Sequence, residues 1–174
     1  MLLAAYDLLA EGGLSRFTIE GVAARSGVAR TTIYRWWPTK GALAMEGFLA
    51  AINADLARPQ SDSVVADMQA LMRSFARLLR GEVGRIIRCI IASGQSDPET
   101  IDAFVTGYVT PRRAEVRAIL ERGIASGELR ADLDVEMVNY SLFGPAYLRM
   151  LLNEGVDEAW MDRLSGFVLA GCLA

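Results

Sequence analysis

The stretch that decides the fold is TIEGVAARSGVARTTIYRWW, residues 18–37. It contains two short helical patterns separated by a single glycine. Thr18 is a natural N-cap, since its hydroxyl can accept a hydrogen bond from an unpaired amide of the first turn. Glu20 then stands where the positive end of the helix dipole favours an anion. The first pattern ends at Arg25-Ser26-Gly27, with Gly27 free to take a left-handed turn. The second runs from about Ala29 to Trp36 and stops before Pro38. Two helices that cross this tightly need a small residue at the approach, and Ala23 supplies it. Val22, Val28, Ile33 and Trp36 have the spacing to lock the crossing. Arg30, Thr31, Thr32, Tyr34 and Arg35 then project outward from the second helix. A helix carrying Arg and Thr on its outer face fits the DNA major groove and can reach base edges. Tyr34 and Lys40 suit phosphate contacts, which set register without reading sequence. Thr18 and Trp37 flank the same surface. Of the adjacent Trp36 and Trp37, one is expected in the core and the other near the phosphate backbone.

Charge agrees with this reading once its distribution is considered. The 174-residue chain carries a net −3. Between Leu14 and Lys40 there are five cationic residues (Arg16, Arg25, Arg30, Arg35, Lys40) against Glu20 alone, so that window carries +4 and the remainder −7. A local basic patch on an acidic chain is an electrostatic footprint for nucleic acid.

Outward from this stretch almost every segment has helical periodicity and none alternates as a strand does. The expected class is all-α, with about nine helices. Leu2, Leu3, Tyr6, Leu9 and Ala10 form an apolar face closed by Gly12-Gly13. Thr39 caps a fourth helix reaching towards Leu56, and Arg58 to Ser63 reads as a linker. Longer helices follow over about 64–79 and 83–92. Asp97-Pro98-Glu99 and Thr110-Pro111 both read as helix starts, with proline at the first helical position. Asp134 begins a helix ending at Gly155, and Asp157 caps the last one. Residues 1–48 are expected to be a helix-turn-helix domain, and 49–174 a larger helical domain.

Several function classes lose support. Histidine is absent, which removes the commonest general base and transition-metal ligand. Neither G-x-x-x-x-G-K nor G-x-G-x-x-G occurs, so no phosphate cradle of those kinds is expected. Cys89 and Cys172 lie in apolar helical segments and read as small core residues. No catalytic residue, metal or cofactor is expected, and the chain reads as a non-enzyme. No apolar run approaches the roughly 20 residues of a membrane span, and no signal peptide is evident, so a cytoplasmic location is expected. The hydrophobic fraction of 52% and mean hydropathy of +0.25 suit a large core plus a face reserved for another subunit, although an alanine-rich helical chain explains part of it.

The segment VARTTIYRWWPTKGAL (28–43), with LLAEGGLSRFTIEGVA (8–23) before it, closely resembles the tetracycline-repressor family over about Leu2 to Leu49. Its core is Ile33, Tyr34, Trp37, Lys40 and Leu43. A weaker resemblance covers ILERGIASGELRADLD (119–134) and FGPAYLRMLL (143–152), which look like one ligand-binding subclass. The resemblance implies an all-α homodimer whose first three helices bind a double-stranded operator. The last two helices of each subunit would pack as a four-helix bundle across the dimer axis. A small hydrophobic or amphipathic molecule bound in the larger domain would shift the recognition helices and release DNA. Ala29 stands where relatives have a capping Ser or Thr, Gly41 replaces a commoner acidic residue, and the chain opens without the basic arm many relatives carry. A small-molecule sensor with a weakened DNA-binding domain is therefore the alternative reading.

Met72, Phe75, Ile86, Ile90, Phe104, Tyr108, Tyr140, Phe143 and Tyr147 are candidates to line an effector pocket, with Met68 and Met150 beside them. Each taken singly reads as ordinary core. Pro145 in mid-helix removes the bond to the Ser141 carbonyl, and the resulting kink would either open space beside Phe143 and Tyr147 or only fit the helix around its neighbours. Leu148, Leu152, Trp160, Leu164, Phe167 and Val168 lie on two final helices that are apolar on more than one face. That pattern suits a dimer seam better than burial within one subunit.

Overall fold

The first helix, α1 (Leu2–Arg16), is interrupted at Gly12-Gly13 as its sequence suggests, with Gly13 in non-helical backbone (φ 62°, ψ −176°). A further short helical turn, residues 14–16, follows that break and leads to Phe17, which is fully buried. The computed structural model describes residues 1–52 and 59–174. After α1 come α2 (Ile19–Ser26), α3 (Arg30–Trp36), α4 (Lys40–Ile52), α5 (Val64–Arg80), α6 (Glu82–Gly94), α7 (Pro98–Phe104), α8 (Thr110–Ser126), α9 (Val135–Leu151) and α10 (Glu158–Ala170). Among the described residues these ten helices, one π-helical turn and a single isolated β-bridge make up the regular structure. The all-α expectation holds. Leu56 and Arg58, named above for the fourth helix and the linker, lie outside the described residues.

Helices α1 to α4, α6 and α7 form one compact unit. Gly47 sets the distance between α1 and α4: a Cβ there would stand 2.9 Å from Ala5 Cβ and 3.1 Å from the Leu2 carbonyl oxygen. Backbone cannot retreat as a side chain can, so this position requires glycine. Phe48 on α4 meets Phe104 and Tyr108 with ring centroids 6.3 and 5.6 Å apart, and Phe104 stacks on Tyr108 at 5.3 Å. Ile86, Ile87 and Ile90 of α6 complete that core.

Thr110-Pro111 does not start a separate helix. The chain leaves α7 through a π-helical turn, Val105–Val109, and enters α8 without a break, with Thr110 itself helical (φ −62°, ψ −47°). Proline has no N–H to give, so a start signal and an interruption look identical in sequence. Here the wider π turn absorbs the misfit, and the Thr110 amide bonds the Val105 carbonyl instead.

Helices α5, α9 and α10, with α8 from Pro111, form the second unit. Its core includes Met68, Met72 and Phe75 of α5, with Leu142, Ala146, Met150, Met161 and Leu169. Phe75 meets Phe143 and Tyr147 at 5.2 and 5.5 Å. Two signals read as above are realised, Asp134 and Asp157 each accepting an N-terminal amide, although α9 ends at Leu151 rather than at Gly155; Ser63, read as the end of the linker, caps α5 in the same way. Pro145 is carried inside α9, where the Ser141 hydroxyl donates to the Met137 carbonyl at 2.8 Å.

Two carboxylates tie this unit together. Glu128 accepts from the Ser63 hydroxyl (2.7 Å) and from the amides of Val64 (2.7 Å) and Val65 (3.1 Å), so it sits on the positive end of α5. These bonds, that of Ser63 foremost, hold its pKa below the usual carboxylate value. Asp67 is only 1% exposed. Burial pushes its carboxyl up, but hydrogen bonds from Ser61 and Arg122 outweigh that and leave it lowered. The chain end is pinned nearby: the Arg130 amide donates to Cys172 O at 2.9 Å, and Leu129 bridges Leu173. Cys172 is buried as expected, and burial raises its thiol pKa; Cys89 is half-buried.

Candidate nucleic-acid interface

The α2–turn–α3 element is built as its sequence requires. Thr18 Oγ1 accepts from the Gly21 amide at 3.0 Å. Gly27 takes the left-handed conformation (φ 71°) and donates its amide to Ala23 O, ending α2. The crossing is held by Val22 and Ile33, both fully buried, with Val28 half-buried between them. With Ile33 at 0% exposure, helical geometry sends Arg30, Thr31, Thr32, Tyr34 and Arg35 to the surface, and all five are exposed. Ala29 precedes α3 without any side-chain capping bond.

Trp36 does not lock the crossing. It is 67% exposed, and the Arg35 guanidinium lies 5.8 Å from its ring centroid. Trp37 lies beyond the last helical residue in extended backbone (φ −127°, ψ 98°), which turns it towards α4. There its ring nitrogen donates to Glu46 at 2.6 Å. The helix is one residue too short to carry both tryptophans, so the second becomes the anchor. Nothing in residue type distinguishes the two, and Glu46 was not among the residues singled out.

The basic patch is partly committed to the fold. Arg25 donates to both oxygens of Glu11 (2.7 and 3.0 Å), joining α2 to α1; that bond lowers the Glu11 pKa and raises that of Arg25. Arg30 is 3.7 Å from Glu20. Lys40 is exposed, donates to the Leu14 carbonyl at 3.3 Å, and feels the Asp97 carboxylate. The cations facing outward from α3 itself are Arg30 and Arg35.

The expected pocket residues divide between the two units. Ile86, Ile90, Phe104 and Tyr108 are buried in the first; in the second Met72 and Phe75 are buried, and Phe143 and Tyr147 are half-buried. Tyr140 is not interior: it is 52% exposed, with the Arg113 guanidinium 4.4 Å from its ring centroid. Its place on α9 is opposite the face that buries Leu142 and Ala146. Of the expected dimer residues Leu148, Leu152 and Phe167 are exposed, while Trp160, Leu164 and Val168 are half-buried. Arg149 lies over Trp160 at 5.0 Å. No described helix is long and apolar enough to cross a membrane.

A buried crossing, a left-handed glycine turn and a polar, cationic outer helix define a helix-turn-helix DNA-binding regulator. The chain belongs to the tetracycline-repressor family: residues 1–46 match "Bacterial regulatory proteins, tetR family", and residues 58–168 match "Tetracyclin repressor-like, C-terminal domain". It is 37% identical over 165 residues to the uncharacterized HTH-type transcriptional regulator YdeS of Bacillus subtilis, covering 94% of this chain and 83% of that one. It is 26% identical over 172 residues to the DNA-binding transcriptional repressor TetR of Mycobacteroides abscessus, covering 97% and 90%. The crystal structure of the TetR family transcription regulator SCO0332 superposes with a TM-score of 0.85 at 36% identity, covering 99% of this chain and 96% of that one.

Proposed function

We propose that this transcriptional regulator is a repressor. As a homodimer it presents two copies of α3 to successive major grooves of a pseudo-palindromic operator. A small apolar or amphipathic effector, held by the helical region after residue 48, lowers its operator affinity. The observation that carries the reading is the α3 surface, where Arg30, Thr31, Thr32, Tyr34 and Arg35 share exposure around the buried Ile33. Arg30, Thr31, Thr32 and Arg35 are assigned to base edges and phosphates. Tyr34, Lys40, Thr18 and the end of α3 at Trp37 are assigned to the backbone. Two such helices about one helical turn of DNA apart, roughly 34 Å, match half-sites on one duplex face.

The effector class is inferred from the aromatic and methionine character of the second unit, where Met72 and Phe75 are buried and Phe75 meets the half-buried Phe143 and Tyr147. Apolar walls with few polar groups take apolar ligands.

Fluorescence anisotropy against labelled DNA from upstream of the protein's own gene, with unrelated competitor and at two salt concentrations, tests the proposal. Binding that survives competitor and weakens with salt is the expected result. The uncapped Ala29 supports a second reading, a sensor whose DNA reader is weakened. Tight binding of an apolar ligand with no competitor-resistant DNA binding would favour that reading over the first.

A further inference from the structure

Five cations and one anion, Glu20, lie between Leu14 and Lys40. The first turn of α2 has one open place for an acid. Ile19 is buried, and a Cβ on Gly21 would stand 3.1 Å from Thr18 Oγ1 and 3.3 Å from Leu8 Cδ1. The helix dipole favours a carboxylate at position 20. Backbone phosphates repel it, so an uncompensated acid beside the exposed face of α3 would oppose DNA binding. Glu20 is compensated: its Oε1 lies 3.7 Å from Nη1 of Arg30, the first residue of α3.

Both side chains are more than half exposed, 56% for Glu20 and 64% for Arg30. Water therefore screens the pair, and it adds little to stability. Its place matters more than its strength. Ala29 supplies no cap, so among the described residues this pair is the only polar side-chain link to the first turn of α3. The N-terminal residues of a recognition helix are the ones that contact base edges. The pair thus stands where sequence is read.

An arginine offers DNA two things, a charge and a planar fork of donors. Phosphate contacts draw on the charge, through release of counterions. A guanine edge is recognised by the fork, two of whose N–H groups meet O6 and N7. A carboxylate beside Nη1 offsets the charge of Arg30 and leaves its remaining donors free. When the groove expels water the pairing strengthens, so Arg30 enters already oriented. Among the described residues Arg35 pairs with no acid; its neighbour is the Trp36 ring, and its full charge is left for a phosphate. We propose that Glu20 is a positioning residue for base recognition, which holds Arg30 off the phosphates and directs its fork to one guanine in each half-site. The inference rests on the DNA-binding reading above and decides between the two partners, base edge and phosphate, that Arg30 was given there.

Selection of the full chain and its variants on a pool of duplexes with a randomised centre, with sequencing of the bound fraction, tests this. Titrations of one selected and one unrelated duplex at several salt concentrations, and thermal melting, complete the readout. Wild type should select a guanine in each half-site that Arg30→Ala no longer selects. Glu20→Gln keeps the size and removes the charge. It should lower discrimination at that guanine by about tenfold. Binding to the unrelated duplex should hold or tighten, and the slope of log K against log salt should steepen by about 1 for each bound subunit as Arg30 turns to a phosphate. Glu20→Gln/Arg30→Ala should match Arg30→Ala alone, since a residue that acts through Arg30 has nothing to act on once it is gone. A Glu20→Gln protein with wild-type preference at every base and only a shifted melting temperature would leave Glu20 as a partner of the helix dipole and overturn the proposal. Preference lost at a second base in the double variant would also overturn it, by showing that Glu20 reads a base itself. A wild type that selects no sequence would sink base reading by α3 altogether, which is a different failure from a selected site that Glu20 does not influence.

Discussion

The ring N–H of Trp37 donates to the carboxylate of Glu46 across 2.6 Å, which ties the end of the recognition helix to α4. A helix of seven residues has little stability of its own, since nucleation costs as much as its few bonds return. Its orientation therefore depends on tethers at the ends, and this is the one at its C-terminus. Replacing Glu46 by Ala should cost about 1 kcal/mol of stability for a bond to a charged group at an exposed site. DNA affinity should fall several-fold, although Glu46 need touch no DNA. Thermal melting and anisotropy on the same preparation check this. Lost stability with unchanged affinity would show that α3 is oriented without the tether.

Arg35 and Tyr34 differ in what they should do to salt dependence. Each phosphate contact made by a cation releases counterions, so Arg35→Ala should weaken binding and reduce the slope of log K against log salt by about 1. Tyr34→Ala removes a neutral contact, so affinity should fall at every salt concentration with the slope kept. Titrations at four or more salt concentrations separate the two. A Tyr34 variant with unchanged affinity would remove that residue from the interface.

Ala29→Ser supplies the missing cap. Ala29 already has the extended backbone of a capping residue (φ −60°, ψ 138°), and its carbonyl already receives the amides of Thr32 and Ile33. A serine hydroxyl there can accept a free amide of the first turn, worth about 1 kcal/mol. The melting temperature should rise by roughly 2–4 °C for a chain of this size. If fraying of α3 limits DNA binding, affinity rises with it. A melting temperature that does not move would mean that solvent or a neighbour already satisfies those amides.

Much of this was legible in the sequence because local chemistry decides it. Thr18, Asp97, Asp134 and Asp157 announce helix starts by the hydroxyl or carboxylate they offer. Gly27 announces its turn by the conformation it alone adopts cheaply. The candidate interface was legible for the same reason: burying Val22 and Ile33 dictates which residues of α3 point outward. What was not legible depends on partners distant in sequence. Nothing near Trp36 or Trp37 says which one meets Glu46, and nothing near Glu128 says that its carboxylate will reach the N-terminus of α5. Thr110-Pro111 misled because the same dipeptide that opens a helix can also sit inside one that widens to a π turn. The grouping of α6 and α7 with α1 to α4 likewise comes from packing, through Cys89 beside Gly13 and Ile101 beside Gly94.

Glu128 makes the last prediction, which concerns pH. Its folded pKa is depressed by the Ser63 hydroxyl and the Val64 and Val65 amides, and that of Asp67 by Ser61 and Arg122 against the opposing effect of burial. For a carboxyl whose folded pKa lies below its unfolded value, the native state binds fewer protons than the unfolded one. Stability is then fully present above the unfolded values, about 4.3 for Glu and 3.9 for Asp, and is lost as pH falls through the folded values. The chain should therefore hold a constant melting temperature from neutrality down to about pH 5 as far as these two groups are concerned, and lose stability below it. Glu128→Gln keeps the shape and removes the charge on the positive end of α5. It should lower stability at pH 7 by about 1 kcal/mol and flatten the acid limb, because one of the two titrating groups is gone. Denaturant melts at pH 7, 5, 4 and 3 on both proteins measure this directly. An acid limb of unchanged steepness in Glu128→Gln would mean that other carboxylates carry the acid sensitivity, with Asp67 the first to substitute.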